Sequence, residues 1–300
     1  MTLHPNKHGN SIVSSSIITS RIITSGIIML SFIFCLYSCS SKNETNHNSS
    51  NHSTSNNIPK SNSTANTKDT IIQYSFEIVD TLNHETSSYT QGLIVHNNNL
   101  FESTGLEGHS KLLKKNLKNG KIETAVSLAQ HHFGEGITIL NDKIYQLTWL
   151  NQICLVYDLK TMKKINEFSY MGEGWGLTNN DSMLLMSNGS GTIKIINPEN
   201  FITTANIKIK KNNIPVNYLN ELELVDSLLY ANVYTKDLII IANINTGKVV
   251  GEINITTLRK YIKNKEAEVA NGIAYDKKTG FFYLTGKNWD KIFVVKLLQK

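Results

Sequence analysis

The run His132-Phe133-Gly134-Glu135-Gly136-Ile137 returns in altered form as Met171-Gly172-Glu173-Gly174-Trp175-Gly176-Leu177. Each copy sets one carboxylate between two glycines just ahead of a strand-type apolar stretch, and the two glutamates are 38 residues apart. Glycines on both sides allow a tight turn and let another molecule approach the carboxylate closely. Recurrence at that interval points to one structural unit used repeatedly. Five comparable starts occur, at positions 92, 136, 176, 222 and 272, spaced 44, 40, 46 and 50 residues apart. In each, an apolar stretch meets a turn and reverses into a second strand. The turns fall at Asn97-Asn98-Asn99, Asn141-Asp142, Asn179-Asn180-Asp181, Asp226-Ser227 and Lys278-Thr279-Gly280, which is hairpin chemistry. A third strand and usually a fourth follow. Four strands in a unit of that length make one propeller blade, so the expectation is an all-β, five-bladed β-propeller.

The last unit offers only three strands before Lys300. Residues 71–79 read as a strand and are expected to complete it, joining the beginning of the chain to its end and removing a free sheet edge. The one stretch with a helical character, residues 257–268, is lysine-rich and reads as an exposed insert.

The first 70 residues follow other rules. Lys7 and Arg21 precede an apolar run at 22–37 that is too short and too serine-flanked for a membrane span. It closes on Leu36-Tyr37-Ser38-Cys39, which resembles a bacterial lipobox with Tyr37 as its departure. Residues 1–39 are therefore expected to be a signal peptide, with Cys39 lipidated as the first mature residue. Residues 40–70 are almost all Ser, Asn, Thr, His and Lys. They are too polar to offset their ordering entropy, which predicts a disordered tether ahead of a folded domain at 71–300. An exported, monomeric protein held to the bacterial cell envelope by a lipid anchor is the expectation.

The net charge of +6 falls to +4 once residues 1–38 are removed, with 28 basic groups against 24 acidic ones. The lysines are scattered and form no basic stripe, so no nucleic-acid partner is expected. Of three cysteines only Cys154 lies within the folded region, in an apolar strand, as a core residue without a disulfide partner. His109, His131 and His132 lack metal-ligand spacing, so no metal site is assigned to them.

In a propeller the first strand of each blade lines the axis, and the loops leading into it gather at one end. Tyr89-Thr90-Gln91, Phe133-Gly134-Glu135, Glu173-Gly174-Trp175, Asn220-Glu221 and Ala270-Asn271 should meet there. From the ends of second strands come Glu102, Trp149, Asn232, Tyr234, Lys287 and Trp289. Carboxylates, primary amides, a lysine and all three tryptophans would then share one lining.

Tyr-Thr-Gln-Gly-Leu at 89–93, Glu-Ser-Thr-Gly at 102–105, Phe-Gly-Glu-Gly-Ile at 133–137 and Leu-Thr-Trp at 147–149 resemble the plant and bacterial glutaminyl cyclotransferase family. So do Gly-Glu-Gly-Trp-Gly-Leu-Thr at 172–178, Pro-Val-Asn-Tyr-Leu-Asn-Glu-Leu-Glu at 215–223, Ala-Asn-Val at 231–233, Asn-Gly-Ile-Ala-Tyr at 271–275 and Thr-Gly-Lys at 285–287. That family is a five-bladed propeller acting on peptides and proteins with an N-terminal glutamine. It converts the glutamine to pyroglutamate with loss of ammonia and no required cofactor; whether a structural cation sits in the channel is open. The resemblance implies that Glu135 is the proton shuttle, and that Asn220 and Lys287 hold the carbonyl oxygen. It also implies that Gln91 orients the substrate, with Phe133, Trp149, Trp175 and Tyr234 forming the pocket. Glu173 is expected to brace its loop through backbone hydrogen bonds. Tyr234 stands where the family usually has tryptophan, and Asp290 where it usually has proline. The competing expectation is a surface-anchored binding propeller without catalysis.

Overall fold

A computed structural model describes residues 70–299. The leader, Cys39 and the tether lie outside the described residues. Left-handed backbone makes the hairpins: Asn97 and Asn98 have φ of 47° and 61°, and Asn141 and Asp142 have 52° and 57°. Two successive positive φ values match the right-handed twist of the flanking strands, and Asn and Asp adopt them at low cost.

Three four-stranded antiparallel sheets follow from these reversals. The first holds Thr90–His96, Asn99–Thr104, Lys111–Asn116 and Ile122–Ser127. The second holds Gly134–Leu140, Lys143–Thr148, Ile153–Asp158 and Lys164–Ser169. The third holds Leu177–Asn179, Leu184–Met186, Thr192–Ile196 and Thr203–Lys208. A fourth meander, Leu219–Val225 to Lys248–Asn254, and a fifth unit, Ala270–Asp276 to Lys291–Gln299, are merged into one ten-stranded sheet. The strand that joins them is Ile72–Asn83. It runs antiparallel to the C-terminal strand from Tyr74↔Gln299 to Asn83↔Lys291, and parallel to the fourth unit at Ile72↔Gly251. It is longer than the expected 71–79 because its pairing continues through a bulge at residues 78–80.

In the first three units the last strand is the least buried. Gly134–Leu140 is almost wholly buried, whereas Lys164–Ser169 is mostly exposed. The apolar clusters lie between units. Phe101, Ile137 and Leu155 pack between the first and second, and Leu147, Leu177 and Met186 between the second and third. Leu185, Leu222 and Leu229 join the third and fourth; Ile241, Ile273 and Phe293 join the fourth and fifth. Leu93, Ala274 and Val294 connect the fifth back to the first. Each first strand therefore has one neighbour on either side, in cyclic order.

The glycines of the repeated motif serve this packing. A Cβ on Gly136 would sit 2.4 Å from Leu177 N, and one on Gly176 would sit 2.0 Å from Asn220 O. Neither glycine has a positive φ. What approaches closely is the neighbouring unit's backbone; Gly136 N–H donates to Trp175 O at 2.6 Å.

The expected helix at 257–268 is a single 3₁₀ stretch, Thr256–Tyr261. Only Leu258 in it is buried, so it lacks the apolar face that would sustain a longer helix. Nor is it a loose insert: Leu258 is fully buried, and Arg259 Nη2 pairs with Asp237 Oδ1 at 2.8 Å.

Candidate active site

Four of the five first strands carry an extra residue near their start, and each extra residue is polar or abuts a polar one. The pairing steps from Thr90↔Thr104 to Gly92↔Ser103, leaving Gln91 over, and from Gly134↔Thr148 to Ile137↔Gln146 around Glu135. It steps from Leu219↔Val233 to Leu222↔Ala231 around Asn220, and from Ala270↔Gly286 to Ile273↔Leu284 around Asn271. A bulge breaks the strict alternation of faces and re-aims a side chain. Here it frees residues at the same height in four units to turn toward one another.

They meet in a cavity of about 210 Å³ lined by Tyr89, Gln91, Phe133, Glu135, Trp149, Trp175, Asn220, Tyr234 and Lys287. Eight of these are the residues assigned to the site from sequence. Tyr89 is the ninth; its proximity to Gln91 placed it at the right end without giving it a task. A larger cavity, about 610 Å³, opens among the hairpin turns at Asn97, Asp181 and Lys277, and has no comparable aromatic wall.

A chain of amides fixes the carboxylate. Asn271 Nδ2 donates to Gln91 Oε1 at 2.9 Å, which turns Gln91 Nε2 toward Glu135 Oε1, also at 2.9 Å. Glu135 Oε2 is buried without a protein partner among the described residues, as is Asn220 Oδ1. Burial raises the Glu135 carboxyl well above the usual range; Lys287 pulls it back and Glu173 pushes it further up. Gln91 thus orients the carboxylate itself, a task the sequence did not suggest.

Lys287 reaches the cavity between two aromatic faces. Its Nζ lies 4.5 Å from the Tyr89 ring centre and 5.1 Å from that of Tyr234. Its backbone is pinned on both sides, N–H to Val269 O at 3.0 Å and C=O from Glu268 N at 2.9 Å. Burial lowers its pKa, with Glu135 and Glu268 offsetting part of the shift. The Tyr89 and Tyr234 rings continue into the rest of the aromatic lining: Phe133 meets Trp149 edge-on at 5.6 Å, and Trp175 meets Tyr234 the same way at 5.6 Å.

Several residues expected in the lining are engaged elsewhere. Trp289 is fully buried under the last unit, where its Nε1 donates to Glu268 O at 3.0 Å and Arg259 stacks at 5.0 Å. Glu221 accepts from Leu93 N and Ile273 N, tying its first strand to two others. Asn232 Oδ1 accepts from Gly272 N at 3.0 Å. Among the described residues Glu173 makes no backbone bond of the expected kind; it accepts from the indole N–H groups of Trp149 and Trp175. Asp290, at the other departure, caps Lys263 N–H at 3.0 Å. Among the described residues, His84, Glu85 and Glu102 come close enough together to ligate a cation. The Lys115 ammonium already stands between the two carboxylates, 2.5 Å from Glu85 and 2.7 Å from Glu102.

These features define a class of protein: an all-β enzyme with a buried carboxyl and a lysine set among aromatic walls in one small cavity. Comparison with known proteins makes the class specific. The family model described as glutamine cyclotransferase matches residues 52–297. A glutaminyl-peptide cyclotransferase of Arabidopsis thaliana is 35% identical over 228 residues, 74% of this chain and 71% of that protein. The crystal structure of Myxococcus xanthus glutaminyl cyclase superposes with a TM-score of 0.72 at 29% identity, covering 77% of this chain and 99% of that one. The chain belongs to the glutamine cyclotransferase family.

Proposed function

We propose that Glu135 is the proton carrier of this enzyme and that its five units form a five-bladed β-propeller around the active-site cavity. The reaction is that of its family, conversion of an N-terminal glutamine to pyroglutamate with release of ammonia. The α-amine nitrogen attacks the side-chain carbonyl carbon, forming the ring C–N bond. The proton it sheds passes through Glu135 to the amide nitrogen, the old C–N bond breaks, and ammonia leaves. One carboxyl serves both transfers because burial raises its pKa well above that of an ordinary glutamate, so it holds a proton more readily between the two steps.

The observation that carries this reading is the asymmetry of Glu135: Oε1 is held by Gln91 while Oε2 is uncommitted. As negative charge develops on the carbonyl oxygen, the Lys287 ammonium and the Asn220 amide are placed to receive it without reorganising. Phe133, Trp149, Trp175 and Tyr234 exclude water, which would otherwise divert the substrate to glutamate. The scheme uses side chains alone. Ammonia release from a glutamine-initiated dipeptide by the purified chain tests it. Glutamate as the product, or no turnover, would refute it.

Cyclic packing of the first strands and the return of Ile72–Asn83 to the last unit support the propeller. For the rest of the chain we propose what its sequence supports: cleavage ahead of a lipidated Cys39, a tether at 40–70, and a catalytic domain from 71. A monomer would then face the envelope of a bacterial cell and act on peptides bearing N-terminal glutamine. Mass spectrometry of the mature amino terminus, beside Cys39→Ser, decides the anchor; an unmodified terminus at another residue means plain secretion.

A further inference from the structure

Glu173 stands behind the two indoles of the pocket wall. Its Oε2 accepts from Trp149 Nε1 at 2.7 Å and from Trp175 Nε1 at 2.8 Å. Trp149 follows a second strand of the second unit, and Trp175 lies in the loop leading into the third. One oxygen therefore ties two units together at the level of the cavity. Neither ring is held by this bond alone. Trp149 has its edge contact with Phe133, and Trp175 has its own with Tyr234, one of the two rings beneath the Lys287 ammonium. Behind Trp175 lies Gly189, where any Cβ would come within 2.7 Å of the ring. The indole is thus seated between a glycine backbone and a carboxylate.

Building on the cyclisation reading, we propose that Glu173 is a positioning residue that locks both indoles at the spacing a glutaminyl side chain requires. Two charge-assisted bonds converging on one atom fix each ring relative to the other, which packing of flat faces alone does not. A wall of this kind acts on binding and orientation, because the carboxylate never touches the reacting atoms. Its charge reaches further. The titratable groups around Glu135 are Lys287, Glu173 and the phenols of Tyr89 and Tyr170, with Tyr234 lining the same cavity. Among them Glu173 adds to burial in keeping the Glu135 proton, against the pull of Lys287.

The test compares wild type, Glu173→Ala and Glu173→Gln by steady-state ammonia release and by tryptophan emission. Trp289 is buried away from the cavity and gives a constant background. Glu173→Ala should raise KM about tenfold or more, with a smaller change in kcat, and shift the emission, since two bonds to a charged acceptor are lost. Glu173→Gln keeps an oxygen that both indoles can reach, so KM and emission should return to within about threefold of wild type. Its acid limb of kcat/KM should move to lower pH, because a negative charge beside Glu135 is gone. Glu173→Met, of similar size but unable to accept these bonds, stands in if the alanine variant does not fold. Unchanged KM and emission on removing the acceptor, or no recovery in Glu173→Gln, would overturn the proposal. Should wild type itself release no ammonia, the cyclisation reading falls. The emission comparison among the same proteins would still decide the clamp.

Discussion

Glu102 with Lys115 and Glu135 with Lys287 are glutamate–lysine couples buried in the described part of this molecule, and they are built in opposite ways. Glu102 and Lys115 close to 2.7 Å, with both side chains wholly out of solvent. His84 Nε2 adds a contact to Glu102 at 2.9 Å, and Thr90 Oγ1 donates to it at 2.7 Å. Burial opposes ionisation of Glu102, yet Lys115 and His84 outweigh it and hold the carboxyl well below the usual range; burial likewise opposes the charge on Lys115, and its carboxylate partners raise its pKa. Glu135 and Lys287 share a cavity, but neither is satisfied by the other. Burial pushes the first toward its neutral acid and the second toward its neutral amine. Desolvation is common to both couples; closure is not. A closed pair braces two neighbouring strands of the first unit, and an open one stays reactive because neither group closes onto the other.

Breaking the open couple should cost most in catalysis. Glu135→Gln keeps size and the bond from Gln91 but cannot carry a proton. Turnover should fall roughly 10²- to 10⁴-fold with KM little changed, and near-normal turnover in the ammonia assay would end the mechanism. Breaking the closed couple should cost stability instead. Lys115→Met strands Glu102 in the interior and should lose about 3–5 kcal/mol in urea unfolding. The same replacement in the open couple, Lys287→Met, should cut kcat by about 10². Its unfolding midpoint should stay level or rise, since a costly buried ammonium is removed. Parallel losses of stability in the two lysine variants would erase the distinction drawn here.

Stability against pH sharpens the comparison further. An unfolded glutamate titrates near about 4.3. The depressed Glu102 stabilises the fold above that value, and this contribution is lost as pH falls through its lower folded pKa. The raised Glu135 behaves inversely: its favourable contribution exists below about 4.3 and is lost as pH rises through its folded pKa. Glu135→Gln should therefore gain on wild type in thermal melts as pH rises above about 4.3, while Glu102→Gln should trail wild type there by a margin that closes as pH falls below it. The smallest effect is expected at the ring beneath Lys287. Tyr234→Leu should lower kcat/KM roughly three- to tenfold, and Tyr234→Trp, which keeps a π face there, by less.

What could be read in the sequence was local. Asn97-Asn98 and Asn141-Asp142 announce their hairpins because a pair of left-handed residues needs nothing beyond itself. The site residues were legible as a set, since they recur at one place in successive units. Their partners were not. Glu173 looks like Glu135 in sequence, and only folding brings the indole N–H of Trp149 to it from 24 residues away. The flanking glycines of Glu135 suggested access to a carboxylate, but the constraint comes from backbone on other sheets, Thr104 O at Gly134 and Leu177 N at Gly136. Trp289 was grouped with the lining because it follows Lys287 closely, yet it turns the other way to pack over Gly286 and against Phe293. A bulge that turns one residue inward leaves no mark in composition.

The strand Ile72–Asn83 has a consequence for how this protein is made. Its pairing begins with Tyr74 opposite Gln299, 225 positions later. At a synthesis rate of about 5–20 residues per second, the strand waits roughly 10 to 45 s for its antiparallel partner. Until then it has backbone groups to offer and nothing native to give them to, apart from three parallel positions on the fourth unit. Contacts so distant in sequence also make for slow folding. The final nine-residue strand is accordingly no expendable tail. A chain shortened by even that much would be left with its first strand open to pairing with a neighbouring copy.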